Sequence, residues 1–222
     1  MSTYYDLLER IHAVLRPKLY VEIGVHEGHS LGLVHAGTRI VGVDPEPKVA
    51  EPPPDSTIVA QTSDDFFADP LALAEESIDL AFVDGLHWWE QTLRDVANLE
   101  HHASPDGTIL IHDCNPIDEI TSARARTTVV WSGDIWKTVV ALRRYRPDLL
   151  VHTVDVEPTG LAIVTGLDPA NTTLFDRYDE IITSIDQLSY ADLESGDRSD
   201  LLGLVPADWP AVRSLLNTAP GR

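Results

Sequence analysis

The segment from Ile78 to Pro116 constrains this chain more than any other. It reads IDLAFVDGLHWWEQTLRDVANLEHHASPDGTILIHDCNP, with two short apolar runs that each end in a carboxylate. The first run, Leu80 to Val83, stops at Asp84; the second, Thr108 to Ile111, stops at His112-Asp113. One helix length separates them, so the pattern is strand–helix–strand. A right-handed crossover makes such strands parallel and brings both carboxylates to the same carboxyl edge of a sheet. Ligands of open α/β sheets bind along that edge. His87 lies three residues beyond Asp84, on the loop leaving the same strand. Two acids and an imidazole converging at one edge point to a hard metal ion with a base beside it.

The rest of the chain extends the pattern. Leu19 to Ile23 reads as a strand broken by Gly24, with Gly28 and Ser30 leading into a short helix over Leu31–Ala36. Ile40 to Val43 is a second strand, ending at Asp44, and Thr57 to Ala60 a brief third. Thr62 to Asp65 reads as a turn or cap before a helix around Pro70–Glu76. After a polar loop from Pro116 to Ser132, Asp134 is the expected N-cap of a helix over Ile135–Tyr145. Leu149–Val156 and Leu161–Thr165 are two last strands, joined by four residues and so expected to form a hairpin. The expected fold is α/β: a doubly wound, Rossmann-like, seven-stranded sheet with the last strand antiparallel and helices on both faces.

Three segments are expected. Residues 1–17 hold an amphipathic helix with Leu7, Leu8, Ile11, Val14 and Leu15 on one face. Residues 18–167 hold the doubly wound domain. Residues 168–222 hold a further helix and a tail, packed on that domain or on a partner chain, which leaves a homo-oligomer open. Acids outnumber Lys and Arg by 36 to 16, a net charge of -20, and such a surface repels phosphate backbones. No nucleic acid is therefore expected as a partner. No apolar run reaches membrane-span length, so no membrane is expected either. The single cysteine, Cys114, excludes an internal disulfide framework. The first residues lack a basic stretch followed by an apolar one, and the expected compartment is the cytoplasm.

The turn Glu22-Ile23-Gly24-x-x-x-Gly28-x-Ser30 follows the first strand directly. A glycine there permits close approach of a ligand, and the following helix start offers free N–H groups. Asp44 ends the next strand 20 residues after Gly24, where an acid binds ribose hydroxyls in doubly wound folds. Neither G-x-G-x-x-G nor G-x-x-x-x-G-K-[ST] is present, which disfavours a dinucleotide dehydrogenase and a phosphate-loop NTPase.

These motifs, followed in order by Gly42-Val43-Asp44, Phe82-Val83-Asp84-Gly85-x-His87 and His112-Asp113, resemble class I S-adenosylmethionine-dependent methyltransferases. The likeness covers roughly residues 18–166 and is nearest to O-methyltransferases of the macrocin and catechol type. It implies S-adenosyl-L-methionine as cofactor, with Glu22, Gly24, Gly28 and Ser30 at its methionine end, and Asp84 bordering it. It implies Asp44 on the ribose, and Ser63 and Asp64 flanking the adenine. In metal-dependent members an acid at the fourth strand end and two residues at the fifth bind Mg²⁺. The macrocin pattern places Asp84, His112 and Asp113 here; the catechol pattern places Asp113 and Cys114, with Asn115 able to offer a carbonyl. His112 stands for a carboxylate and Cys114 for an amide, so Mg²⁺ and Mn²⁺ both remain open. His87 aligns with the general base of the family, and Asp84 with it forms the expected catalytic pair.

The expected reaction is metal-assisted O-methylation of a small-molecule acceptor, a sugar or a natural-product intermediate. Two alternatives stand: the same fold and cofactor with different chemistry, or a non-catalytic binding protein. Trp88, Trp131, Asp134 and Trp136 are the expected acceptor-site residues, although a core position competes for Trp136. Arg124 and Arg126 are candidates to meet an acidic acceptor.

Overall fold

A computed structural model describes residues 3–69, 71–73 and 76–216. In chain order the elements are α1 (Tyr4–Leu15), β1 (Leu19–Ile23), a 3-10 turn (Ser30–Leu33), β2 (Arg39–Val43), β3 (Ser56–Val59), α2 (Ser63–Ala68), β4 (Ile78–Val83), α3 (Trp89–His101) and β5 (Ala103–His112). They continue with α4 (Trp136–Tyr145), β6 (Leu150–Asp155), β7 (Leu161–Thr165), α5 (Thr173–Asp176), α6 (Tyr178–Ile185), α7 (Tyr190–Ser195), α8 (Arg198–Leu202), β8 (Leu204–Pro206) and α9 (Trp209–Leu216).

The strands form one sheet in the order β3-β2-β1-β4-β5-β7-β6-β8. β1 to β5 are mutually parallel where they pair, β7 runs antiparallel to both β5 and β6, and β8 pairs parallel with β6. The sheet thus has eight strands rather than the expected seven. The eighth is three residues long and carries Pro206, too short to show a periodicity. The chain runs outward from β1 to β3, then restarts at β4 on the other side. That reversal opens a crevice at the carboxyl ends of β1 and β4.

Local chemistry explains where elements start and where they depart from expectation. Thr3 caps α1, accepting from Asp6 N at 3.4 Å while Thr3 N donates to the Asp6 carboxylate at 3.2 Å. Leu7, Leu8 and Ile11 are buried against the sheet, but Val14 is 41 % exposed and His12 takes a core place instead. His12 sits edge-on to Tyr20, with both ring nitrogens buried and without partners. The helix expected over Leu31–Ala36 is only a 3-10 turn, in a segment that contains Gly32 and is followed by Gly37. The helix expected around Pro70–Glu76 forms earlier, at Ser63–Ala68, because Thr62 accepts from Asp65 N at 3.1 Å and starts it at once. Leu71–Leu73 form a turn, whereas Pro70, Ala74 and Glu75 lie outside the described residues. The further helix expected at the start of residues 168–222 is two short helices, α5 and α6, which meet at Arg177.

The core has two layers. On one face Trp89, Leu93, Val96, Trp136 and Val140 from α3 and α4 pack on the sheet, with Ile181 of α6 in the same cluster. On the other, Leu7, Leu8 and Ile11 of α1 and Val212 and Leu216 of α9 cover Tyr20, Phe82, Leu110 and Ile163. The C-terminal segment therefore closes the sheet edge through β8 and the second face through α9.

One ionic cluster ties the end of α3 to the end of α4. Arg146 and Glu100 are almost wholly buried and paired through both terminal guanidinium nitrogens, and Arg146 also binds Asp148 at 2.6 Å. Glu100 further accepts from Asp168 N at 3.1 Å, which fixes the chain after β7. Truncating one partner of such a pair strands the other charge in low dielectric. Arg146→Ala is expected to lower unfolding free energy by about 3–5 kcal/mol, read from urea midpoints; a loss below about 1 kcal/mol would show that water reaches Glu100.

Candidate active site

The crevice at the carboxyl ends of β1 to β5 holds a cavity of about 790 Å³. Its floor is set by a steric constraint. Gly24 has φ +90°, and a methyl group there would lie 2.2 Å from the carbonyl oxygen of Asp84. Gly24 N donates to Val43 O and Asp84 N to Ile23 O, each at 2.8 Å. The glycine is thus demanded by the backbone of the neighbouring strand, whatever ligand approaches it. Gly28 ends the turn with φ +77° and also walls the cavity.

Asp44 stands at the end of β2 on the cavity wall. It accepts from His26 N at 2.8 Å and Glu46 N at 2.7 Å, which pins its carboxylate in the open. Ser63 and Asp64, at the first turn of α2, wall the same space, together with Gln91 and Asp95 of α3. Glu22 does not line the cavity. It shares a strand face with Tyr20, and its two oxygens accept from Tyr20 Oη at 2.6 Å and Ser30 Oγ at 2.5 Å. Ser30 reaches the wall, so Glu22 touches the site only through it.

Asp84, His87, His112 and Asp113 meet at the ends of β4 and β5. His87 Nδ1 is 3.0 Å from Asp113 Oδ2 and 3.1 Å from the Trp131 carbonyl, and its Nε2 is 3.5 Å from Asp84 Oδ1. His112 Nδ1 is 3.2 Å from Asp84 Oδ1 and 3.5 Å from Asp113 Oδ2, while its Nε2 is buried without a partner. The set whose ligand atoms all lie within 4.8 Å of one another is Asp84, His87 and Asp113. The imidazole in that tight set is His87, and His112 stands beside it on the same two acids. The reason is backbone shape: His87 and Asp113 both have left-handed φ, 57° and 63°, which turns them toward each other. Thr159 of the β6–β7 hairpin donates its hydroxyl to Asp113.

The electrostatics are mutual. Burial opposes protonation of His112, but Asp84 and Asp113 outweigh it and hold its pKa at about 9. Burial also opposes the charge on Asp84, yet His112 and His87 hold its carboxyl well below the usual range. For His87, burial is likewise outweighed by Asp84 and Asp113, and its pKa is raised. Asp113 is pushed up by burial, which His112 and His87 offset only in part.

Aromatic rings enclose this cluster. Trp131 stacks on His87 with centroids 4.6 Å apart and planes 6° from parallel, and Tyr4 of α1 stacks on His112 at 3.8 Å. Of the four expected acceptor-site residues, only Trp131 walls the cavity. Trp136 is in the core beneath α4, because its face of that helix packs on the sheet. Asp134 is buried and caps α3 rather than α4, accepting from Trp89 N at 3.0 Å, since Trp88 at the N-cap has no side-chain acceptor. Trp88 lies on the surface beneath Arg124, whose guanidinium is held by Glu90 and Asp134. Arg126, by contrast, is on the cavity wall. Tyr4, Gln91 and Asp95 were not foreseen. Polar residues one turn apart on a buried helix face, as at 91 and 95, are the signal that could have found the last two.

Residues 21–114 match a family model described as a methyltransferase domain. Cofactor-bound Rv0187 from MTB has 16 % identity and a TM-score of 0.57, over 72 % of this chain and 78 % of that one. The O-methyltransferase TomG from Streptomyces achromogenes, involved in tomaymycin synthesis and solved with S-adenosylmethionine, has 13 % identity and a TM-score of 0.54, over 72 % and 78 %. The O-methyltransferase from Bacillus cereus, solved with S-adenosylhomocysteine, has 12 % identity and a TM-score of 0.55, over 72 % and 79 %. At these identities the likeness is one of fold. No curated protein matches in sequence. Over residues 21–114 the chain is thus similar in sequence to a methyltransferase domain, and its fold is that of proteins solved with S-adenosylmethionine or S-adenosylhomocysteine. Among the described residues no helix is long and apolar enough to cross a membrane.

Glu22 gives the site a pH signature. Burial, partly offset by the Ser30 and Tyr20 hydrogen bonds, pushes its carboxyl from 4.5 up to about 8. A raised acid stabilises the fold fully below the unfolded pKa, and that contribution is lost as pH rises through the folded one. Between about pH 4.5 and 8 the protein should therefore lose stability that a Glu22→Gln variant retains. Urea midpoints of both proteins at the two ends of that window measure it; parallel slopes would show that Glu22 is ionised at no cost.

Proposed function

We propose that this protein transfers the methyl group of S-adenosylmethionine to a hydroxyl of a small-molecule acceptor, with a divalent metal ion and His87 as general base. The observation that carries this reading is the shared cavity: Gly24, Ser30 and Asp44 wall one part of it, and Asp84, His87 and Asp113 another. Bound there, S-adenosylmethionine supplies an electrophilic methyl group whose leaving group is a neutral thioether. Asp44 would take the ribose hydroxyls, and the Gly24–Ser30 turn the methionine end.

Two carboxylates with imidazole nitrogens beside them fit a divalent ion that accepts both oxygen and nitrogen ligands. Asp84, Asp113 and His112 would hold it, and it would lower the pKa of an acceptor hydroxyl. His87 is then free to take the proton. The Trp131 carbonyl can only accept, so Nδ1 of His87 carries a hydrogen, and Nε2 is the nitrogen that would take the proton. The Trp131 stack fixes the ring plane of His87, and Tyr4 stacks on His112. A second reading has its own observation: His87 lies close enough to Asp84 and Asp113 to be a metal ligand itself. One imidazole nitrogen cannot hold a cation and receive a proton together.

Calorimetry with S-adenosylhomocysteine and Mn²⁺ or Mg²⁺, beside a labelled-methyl assay, separates these. Asp44→Ala should weaken nucleoside binding by about tenfold or more, as expected for a lost hydrogen-bonded carboxylate. Asp84→Ala should abolish the metal heat. His87→Ala should keep both heats and lose methyl transfer by about 10²–10⁴-fold. Loss of the metal heat in His87→Ala would make His87 a ligand instead. No nucleoside heat in the wild type would overturn the methyltransferase reading itself.

A further inference from the structure

Glu27, Asp44, Asp64, Asp84, Asp95 and Asp113 all stand on the cavity wall. Among the described lysines and arginines, Arg126 alone stands there with them. The two arginines of the loop between β5 and α4 are placed differently. Arg124 is held by Glu90 at 2.5 Å and Asp134 at 3.0 Å. Arg126 forms no salt bridge among the described residues, and its side chain donates only to the Val129 carbonyl, at 3.3 Å. A guanidinium carries five N–H donors in a planar fork that matches a carboxylate. Most of that fork at Arg126 therefore meets no protein acceptor.

The position of this cation is set by Trp131. The guanidinium carbon lies 5.9 Å from the centre of the Trp131 ring, which lies 4.6 Å from the His87 ring. Trp131 Nε1 donates to Ala123 O at 2.6 Å, so the loop holds that ring in place. Arg126 is thus no farther from His87 than those two separations together, a gap that one six-membered ring with a substituent at each end can bridge. The chain beside both residues is apolar. Val129 and Val130 follow Arg126 in its loop and Leu86 precedes His87; all three line the cavity, and they are 92 %, 37 % and 53 % exposed. Exposed aliphatic groups at a cavity favour a ligand with an apolar body over a sugar ring, whose hydroxyls would lie against them without partners. The charges also fix the direction of such a ligand. The acids repel an anion from the rest of the cavity, and Arg126 attracts it to one point.

We propose that the methyl acceptor is a hydroxylated carboxylic acid with an apolar body, its carboxylate bound by Arg126 and its hydroxyl presented to His87. The inference rests on reading the cavity as a methyltransferase site and names the acceptor class of that site. The carboxylate does not react; it orients the acceptor, and Arg126 determines specificity without touching the reacting oxygen.

Calorimetry on the whole protein, saturated with S-adenosylhomocysteine and Mn²⁺ at low ionic strength, compares 4-hydroxybenzoate with 4-hydroxybenzamide, which match in shape and differ in charge. The wild type should bind the acid about fivefold or more tightly, the scale of a bidentate ion pair that water still reaches. Arg126→Met should bring the two affinities within about twofold, whereas Arg126→Lys should keep part of the preference. Glucuronate, an anion on a polar body, should bind the wild type more weakly than the benzoate; equal affinity would overturn the apolar body. Equal binding of acid and amide, or of neither, by a wild type that binds S-adenosylhomocysteine would overturn the inference and leave the methyltransferase reading standing. A matching loss of S-adenosylhomocysteine affinity in Arg126→Met would assign Arg126 to the cofactor's own carboxylate and overturn it as well. No S-adenosylhomocysteine heat in the wild type would remove both readings.

Discussion

The contact on which the site depends is between two backbones. Gly24, at the end of β1, lies against the carbonyl of Asp84, at the end of β4, closer than any side chain allows. This contact occurs where the strand order reverses, the one place at which adjacent parallel strands send their chains to opposite sides. The turn after β1 and the loop after β4 diverge from there, and the cavity is the space between them. Asp44 and Asp84 flank it because their strands, β2 and β4, lie on either side of β1.

A second close approach shapes the His87 end of the cavity. Gly133 has φ +57°, and a methyl group there would sit 2.0 Å from the His87 carbonyl. The loop carrying Trp131 can therefore descend onto His87 and stack on it. Left-handed backbone at His26, His87 and Asp113 adds strain of about 1 kcal/mol or more at each, on the cavity wall itself. The charges relieve some of the cost of burial: each carboxylate of Asp84 and Asp113 has an imidazole within hydrogen-bonding range. In a chain of net charge -20 this acidic pocket needs those imidazoles, or a cation, to remain ionised.

Much of the architecture was legible because its signals are local. Apolar runs of strand length, each ending in Asp or His-Asp, marked β2, β4 and β5 and the edge to which they point. The segment from Trp131 to Trp136 was less legible. Trp131 and Trp136 are five residues apart in similar surroundings, yet one stacks on His87 and the other is core. Asp134 reads as the cap of its own helix and caps α3 instead, through a hydrogen bond spanning 45 residues. Tyr4 and His12 read as one amphipathic helix, and nothing in that helix shows that its first turn folds back onto His112.

The sequence by itself determined the succession of strands along the chain as far as β7, the glycine turn, and which carboxylates share an edge, because periodicity and strand-end chemistry are carried by neighbouring residues. Only the tertiary structure decided whether His87 or His112 completes the tight cluster, that Glu22 acts behind Ser30, and that Asp95 faces the cavity. These depend on backbone dihedrals and on contacts between distant elements, and a one-residue change in φ moves a side chain by several ångströms without altering any pattern that the chain displays.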